Sequence, residues 1–193
     1  MFFPPTASAL PRSDRSAFTL LELLAVLAVL AILTSLVIGA GRRVVEHGKS
    51  ARARVELAVL SAALQSYRRQ HGDYPRTTDG ALLVQALLGR LDPSGAPLAA
   101  TGRAQIEAAR FSFARATSPG AAADPFSDPA AVPVDPWGNP YRYAYKSVAP
   151  WTNPSFVLYS AGPDGADAPA LRAGGFVDEA APANADNLYA HRN

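Results

Sequence analysis

The side chains that could do chemistry in this 193-residue chain are few. His47, His71 and His191 lie far apart, and none has an H-E-x-x-H or G-x-S-x-G context. The absence of cysteine excludes a disulfide framework, a thiolate zinc site and a cysteine nucleophile. Most carboxylates fall in loops whose turn chemistry accounts for them. Catalysis needs a nucleophile or an acid–base pair held in a pocket. No such constellation is present, so the chain reads as not an enzyme. Glu22 is the exception among the acids, because it is the one charge between Phe18 and Ala40.

The element that must position Glu22 is an apolar run, FTLLELLAVLAVLAILTSLVIGA. As a helix it would extend roughly 34 Å, enough for a hydrocarbon core of about 30 Å. It is too long for a signal-peptide h-region, and Gly39-Ala40-Gly41-Arg42-Arg43 makes a poor A-x-A cleavage site. A transmembrane helix at 18–40 is therefore expected. A carboxylate on a lipid-facing helix costs about 2.5–3.5 kcal/mol, so it normally has a partner. No basic residue lies within the run. Glu22 either reaches the headgroup region or is answered by another subunit, for instance by a free amine created at the start of the run.

Residues 1–17 are polar, contain proline, carry Arg12 and Arg15, and read as a leader. Overall charge is balanced, with 18 basic and 16 acidic residues. The main basic cluster, Arg42 to Arg54, flanks the apolar run rather than covering a domain face, so nucleic acid is not expected as a partner.

Helical periodicity continues beyond the run. Ala53, Leu57, Leu60, Leu64 and Tyr67 form one apolar face, while Arg52, Arg54, Glu56, Gln65 and Arg69 occupy much of the remainder. Arg68, Arg69 and His71, then Gly72 and Pro75, mark the stop. A second helix is predicted over 79–91, capped by Thr78 or Asp79. Residues 103–116 read as a helix or an irregular segment, and 118–134, rich in Pro, Ala and Asp, as a surface loop. In Asp135-Pro136-Trp137-Gly138-Asn139-Pro140 the prolines fix φ, Gly and Asn tolerate positive φ, and Trp137 can anchor the loop in the core. Alternating runs at 141–147 and 155–160 predict two antiparallel strands.

At Ser16-Ala17-Phe18-Thr19-Leu20-Leu21-Glu22 the sequence resembles the processing site of type IV prepilins and type II secretion pseudopilins. D-P-W-G-N-P-Y followed by F-V-L-Y-S-A-G-P-D-G is similar to the globular domain of the major pseudopilin of type II secretion. The resemblance implies cleavage between Ala17 and Phe18 by a prepilin peptidase, with N-methylation of Phe18; Ala17 stands where the family has Gly. It implies that Glu22 neutralises the terminal amine of a neighbouring subunit. It also implies a calcium-binding C-terminal loop: Asp164 matches its start, and Asp167, Asp178, Glu179 and Asp186 offer further oxygens, of which Asp164, Asp167 and Asp186 form the candidate set.

The expected fold is α+β and pilin-like, a long, partly transmembrane N-terminal helix packed on a small antiparallel sheet. The expected division is a leader at 1–17, an assembly helix at 18–40, its periplasmic continuation at 41–71 and a globular pseudopilin domain at 72–193. The function implied is a structural subunit of a periplasmic pseudopilus in protein export. The implied location is the bacterial inner membrane, single-pass, with the C-terminal domain in the periplasm. Its partners would be copies of itself, the prepilin peptidase, minor pseudopilins and the inner-membrane secretion platform. The alternatives are a type IV pilin-like subunit for adhesion, motility or DNA uptake, and a non-polymeric membrane-anchored binding domain.

Overall fold

The structure is a computed structural model that describes residues 19–191, without the side chains of 36–43 and 119. The expected leader, Ala17 and Phe18 lie outside the described residues. The chain divides into two compact units, Met1–Arg43 and Val44–Asn193. Helix α1 runs Leu20–His71 and contributes to both.

In the first unit, every Leu, Val and Ile from Leu20 to Leu33 is more than half exposed. The two hydroxyls in this stretch are satisfied inside the helix: Thr34 donates to the Leu30 carbonyl at 2.7 Å and Ser35 to that of Ile32 at 2.7 Å. Among the described residues, no helix is long and apolar enough to cross a membrane. The described side chains of the apolar run stop at Ser35, short of the expected span 18–40.

In the second unit, α1 packs as its periodicity predicts. Ala53, Leu57, Leu60, Leu64 and Tyr67 are each at most 1% exposed. Of these, Leu57, Leu60, Leu64 and Tyr67 join Leu83 and Leu87, Phe111 and Phe113, Tyr141 and Tyr143, and Phe156 and Leu158 in one core. The helix stops at His71, where the Gly72 N–H bonds the Arg68 carbonyl at 2.8 Å.

Helix α2 spans Gly80–Leu87, with Asp79 as N-cap accepting from the Ala81 N–H. It ends before the predicted Leu91. Gly89 turns the chain at φ +76, and a Cβ there would sit 2.6 Å from the Gly102 carbonyl, so the segment 102–105 takes the place of another helical turn.

Six strands follow: β1 Ser112–Arg115, β2 Ser118–Ala122, β3 Ala131–Val134, β4 Arg142–Ala144, β5 Val157–Ser160 and β6 Leu188–Tyr189. They form two three-stranded antiparallel sheets, ordered β2-β1-β3 and β4-β5-β6. The β4–β5 pair is the predicted one. The other sheet corrects two expectations. Residues 103–116 contain only a 3-10 turn, Ala108–Arg110, before β1, and 118–134 carry two strands rather than a surface loop.

Alternation along the strands buries both faces of the sheets. Phe113, Tyr143 and Leu158 face the helices. Ala114 and Val132 lie in a second cluster, and Ala144, Val157 and Tyr159 in a third. Trp151, Leu171 and Val177 pack on the third cluster, so the Ala/Pro-rich stretch after Gly165 serves as its cover.

Candidate functional site

Glu22 stands in the first turn of α1. The Glu22 N–H donates to Thr19 Oγ1 at 3.2 Å, and the Glu22 carboxylate accepts from the Thr19 N–H and hydroxyl, each at 3.4 Å. This is a reciprocal capping box, T-x-x-E. The sequence offers no cation for Glu22 in cis, and none appears among its described contacts. What the apolar pattern does not convey is that the N–H and hydroxyl of Thr19 already engage the carboxylate. The T-x-x-E spacing was the available signal.

The turn 135–140 is organised by Asp135, which is 2% exposed. Its Oδ1 accepts the N–H groups of Trp137 (3.0 Å) and Asn139 (2.9 Å), and its Oδ2 accepts the Ser160 hydroxyl at 2.5 Å. Ser160 Oγ in turn accepts the Gly162 N–H at 3.1 Å, and Asn139 Nδ2 donates to the Gly162 carbonyl at 3.1 Å. A buried carboxylate is tolerable here because three donors compensate it. Pro136 and Gly138 shape the turn, Gly138 with positive φ, and Pro140 pairs with Val134.

Trp137 departs from its expected role. It is half-buried and outside the core clusters, and its indole N–H donates to Glu46 Oε2 at 2.7 Å. That bond, ahead of the Lys49 charge, holds the Glu46 carboxyl below the usual range against the opposing effect of desolvation. The turn thus ties the 44–71 part of α1 to the loop that follows β5.

That loop carries the candidate calcium ligands. The Asp164 N–H approaches Asp186 Oδ2 at 3.4 Å, while Asp164 Oδ1 accepts the Ala166 N–H at 2.8 Å. Gly162, at φ +74, is where the two strands of chain meet: a Cβ would lie 2.7 Å from the Asp186 carbonyl. Asn187 Oδ1, beside Asp186 in the chain, is buried and has no hydrogen-bond partner.

Asp167 is placed differently. Both of its oxygens accept from Arg142, at 2.9 and 3.0 Å, and Oδ2 also accepts the Tyr159 hydroxyl at 3.0 Å. A carboxylate so engaged acts as the counter-ion of Arg142. Among the described residues no group of three or more acids or histidines is arranged to hold a metal. Of the three candidate acids, Asp164 and Asp186 are the two brought next to each other.

A second buried carboxylate lies where the sequence pattern predicts a solvated face. Glu56 is 5% exposed. Its Oε1 accepts from Arg52 Nε at 2.7 Å and its Oε2 from the Tyr141 hydroxyl at 2.7 Å. The signal was the row Glu56, Leu60, Ala63 and Tyr67, which shares the buried side of the helix. Asp73 is another hub. Burial would raise its pKa, but bonds from Lys146, Tyr145, Arg76 and the Tyr74 N–H together hold it far below the usual range. Of the histidines, His71 stacks on Tyr67 at 4.3 Å, His191 bonds the Phe156 carbonyl at 2.9 Å, and His47 is exposed.

Two families match this chain. Residues 12–38 match the prokaryotic N-terminal methylation motif, which brackets Ala17, Phe18 and Glu22. Residues 111–173 match the type II secretion system (T2SS) protein G family, which brackets the Asp135 turn and Asp164. Type II secretion system core protein G of Pseudomonas aeruginosa is 30% identical over 176 residues, covering 91% of this chain and 99% of that protein. No solved structure matches. With the pilin-like α+β fold, a methylation motif at the head of α1 and a likeness running nearly end to end, the chain belongs to the type II secretion system protein G family.

Proposed function

We propose that this chain is a non-enzymatic pseudopilin, a structural subunit that polymerises through the N-terminal part of α1 into a periplasmic filament supporting protein export. The observation that carries the reading is Glu22, alone in an exposed apolar helix and inside the methylation-motif match. Before assembly the subunit is anchored in the inner membrane by the run 18–40, with residues 41–193 in the periplasm. A prepilin peptidase removes 1–17, and the new amine at Phe18 becomes the partner of Glu22 on an adjacent copy. Minor pseudopilins and the inner-membrane platform are its other partners. Mass spectrometry of the membrane-extracted chain is expected to find a methylated terminus at Phe18. An intact Met1 terminus would sink the processing step.

Calcium belongs to the same reading. Asp164 and Asp186 would supply carboxylate oxygens, and the orphaned Asn187 amide oxygen and neighbouring carbonyls the remainder of the six to eight that calcium takes. The ion would brace the loop that the Asp135 turn holds against α1. For the full chain in detergent, calcium at a hundredfold excess over its Kd is expected to raise Tm by about 5–10 °C. Asp186→Asn should remove that rise, whereas Asp167→Asn should lower Tm and leave the calcium increment in place. An unchanged melt at millimolar calcium would overturn the site.

A further inference from the structure

Phe126 is the only exposed Phe, Tyr or Trp side chain among the described residues, at 60%. Single exposed apolar side chains are common on protein surfaces. Here, however, the loop that presents it is braced from both sides. Asp124 accepts the Phe126 N–H at 3.0 Å and the Ser127 hydroxyl at 3.0 Å, and its carbonyl accepts the Asp128 N–H at 2.8 Å. Gln85 donates to the Pro125 carbonyl at 3.2 Å, and Arg90 donates to the carbonyls of both Pro125 and Phe126. The Arg90 guanidinium lies 5.9 Å from the ring centroid. None of these bonds needs the phenyl group. The loop is rigid without it, so the ring is held out in a fixed position at little ordering cost on binding.

The matching hollow lies elsewhere on the same unit. A cleft of about 630 Å³ is lined by Val132, Val148, Val157, Leu171 and Asp79 among others. A cavity of about 150 Å³ already suffices for benzene. Arg142 in this cleft is neutralised by Asp167. Asp79 has no ion-pair partner among the described residues, and neither has Arg90 beside the phenyl group. The knob is tied to the C-terminal end of α2 through Gln85 and Arg90, and the cleft begins at its N-terminal end with Asp79 and Gly80. Phe126 is 60% exposed and is not among the residues lining the cleft, so a subunit does not fill its own cleft with its own knob. Two complementary, non-identical patches on one molecule make a head-to-tail contact that propagates as an open filament rather than closing as a dimer.

We propose that Phe126 of one copy seats in the Val132–Val157 cleft of the next, with Arg90 against Asp79, as a lateral contact between globular units. This rests on the reading that the chain polymerises, and adds a contact outside the N-terminal helix. The absence of cysteine makes it directly testable in the full chain in membranes. Ser127→Cys combined with Val148→Cys, which leaves the phenyl group in place, is expected to give an oxidation-dependent ladder of covalent oligomers. Phe126→Ala should lower the yield of sedimenting polymer about tenfold or more, and Phe126→Leu should restore most of it. Polymer from the wild type, with no disulfide ladder from the double-cysteine variant, would overturn the contact and leave the polymerisation reading standing. No sedimenting polymer from the wild type would remove both. A disulfide adduct of the Ser127→Cys variant formed only with a different secretion protein would reassign the knob and overturn self-contact.

Discussion

Glu22→Ala is expected to leave membrane insertion intact or improved and to abolish efficient assembly. The carboxylate costs about 2.5–3.5 kcal/mol on a lipid-facing helix, a penalty that alanine removes. Once helices pack and exclude water, an amine left facing alanine is a buried, unpaired charge, which costs about 3–5 kcal/mol per contact. That corresponds to about two to four orders of magnitude in each association step. The capping box with Thr19 supplies a competing explanation, since the loss of a helix cap costs about 1 kcal/mol. Glu22→Gln separates the two: glutamine serves in a capping box as well as glutamate does but carries no charge. Chemical cross-linking of the full chain in membranes is expected to show loss of oligomers in both variants. Wild-type cross-linking by the glutamine variant would assign Glu22 to capping and remove the charge-pairing role.

The second large effect concerns the domain rather than the filament. Glu56→Ala is expected to lower Tm by about 5–15 °C, through a loss of about 2–4 kcal/mol. The Tyr141 hydroxyl would lose its 2.7 Å acceptor inside the core, while Arg52, more than half exposed, would rehydrate at little cost. Glu56→Gln keeps an acceptor for Tyr141 and should cost less than half as much. Equal loss in both variants would show that charge, not hydrogen bonding, is what Glu56 supplies.

The same contact makes the domain alkali-sensitive. Burial first, then the hydrogen bond and charge of Glu56, push the Tyr141 phenol well above its usual value of about 10. Burial leads the upward shifts of Tyr67, Tyr143, Tyr145 and Tyr159 as well. Above pH ~10 the unfolded chain loses protons that the folded one keeps. Stability is therefore unaffected below that pH and falls as pH rises beyond it, by about 1.4 kcal/mol per pH unit for each such tyrosine. Tyr141→Phe should reduce that slope by about half a proton at pH 10, approaching one towards pH 11, in melts recorded between pH 9 and 11.

Local patterns in the sequence were enough for the buried face of α1, its stop at His71, the Asp79 cap and the β4–β5 pair. Each depends on residues within a few positions of one another, where helical or strand periodicity is fully expressed. Strands β1 to β3 were not legible. Ser112 pairs with Val134 across a long insert, and Pro, Ala and Gly in that stretch carry the composition of a loop. The segment after Gly165 likewise read as a loosely composed surface loop, though Leu171 and Val177 cover the outer face of a sheet.

For the site, the sequence by itself determined the lone acid of the apolar run, the processing signature around Phe18 and the D-P-W-G-N-P turn, because each is a contiguous string. Tertiary structure alone decided which carboxylates are buried and what answers them. Asp135 meets Ser160, Glu46 meets Trp137 and Glu56 meets Tyr141 across 25, 91 and 85 residues of chain. It also paired Asp167 with Arg142. The physical reason is that a carboxylate's role depends on which donors surround it once water is gone, and those donors arrive from distant segments only when the chain has packed.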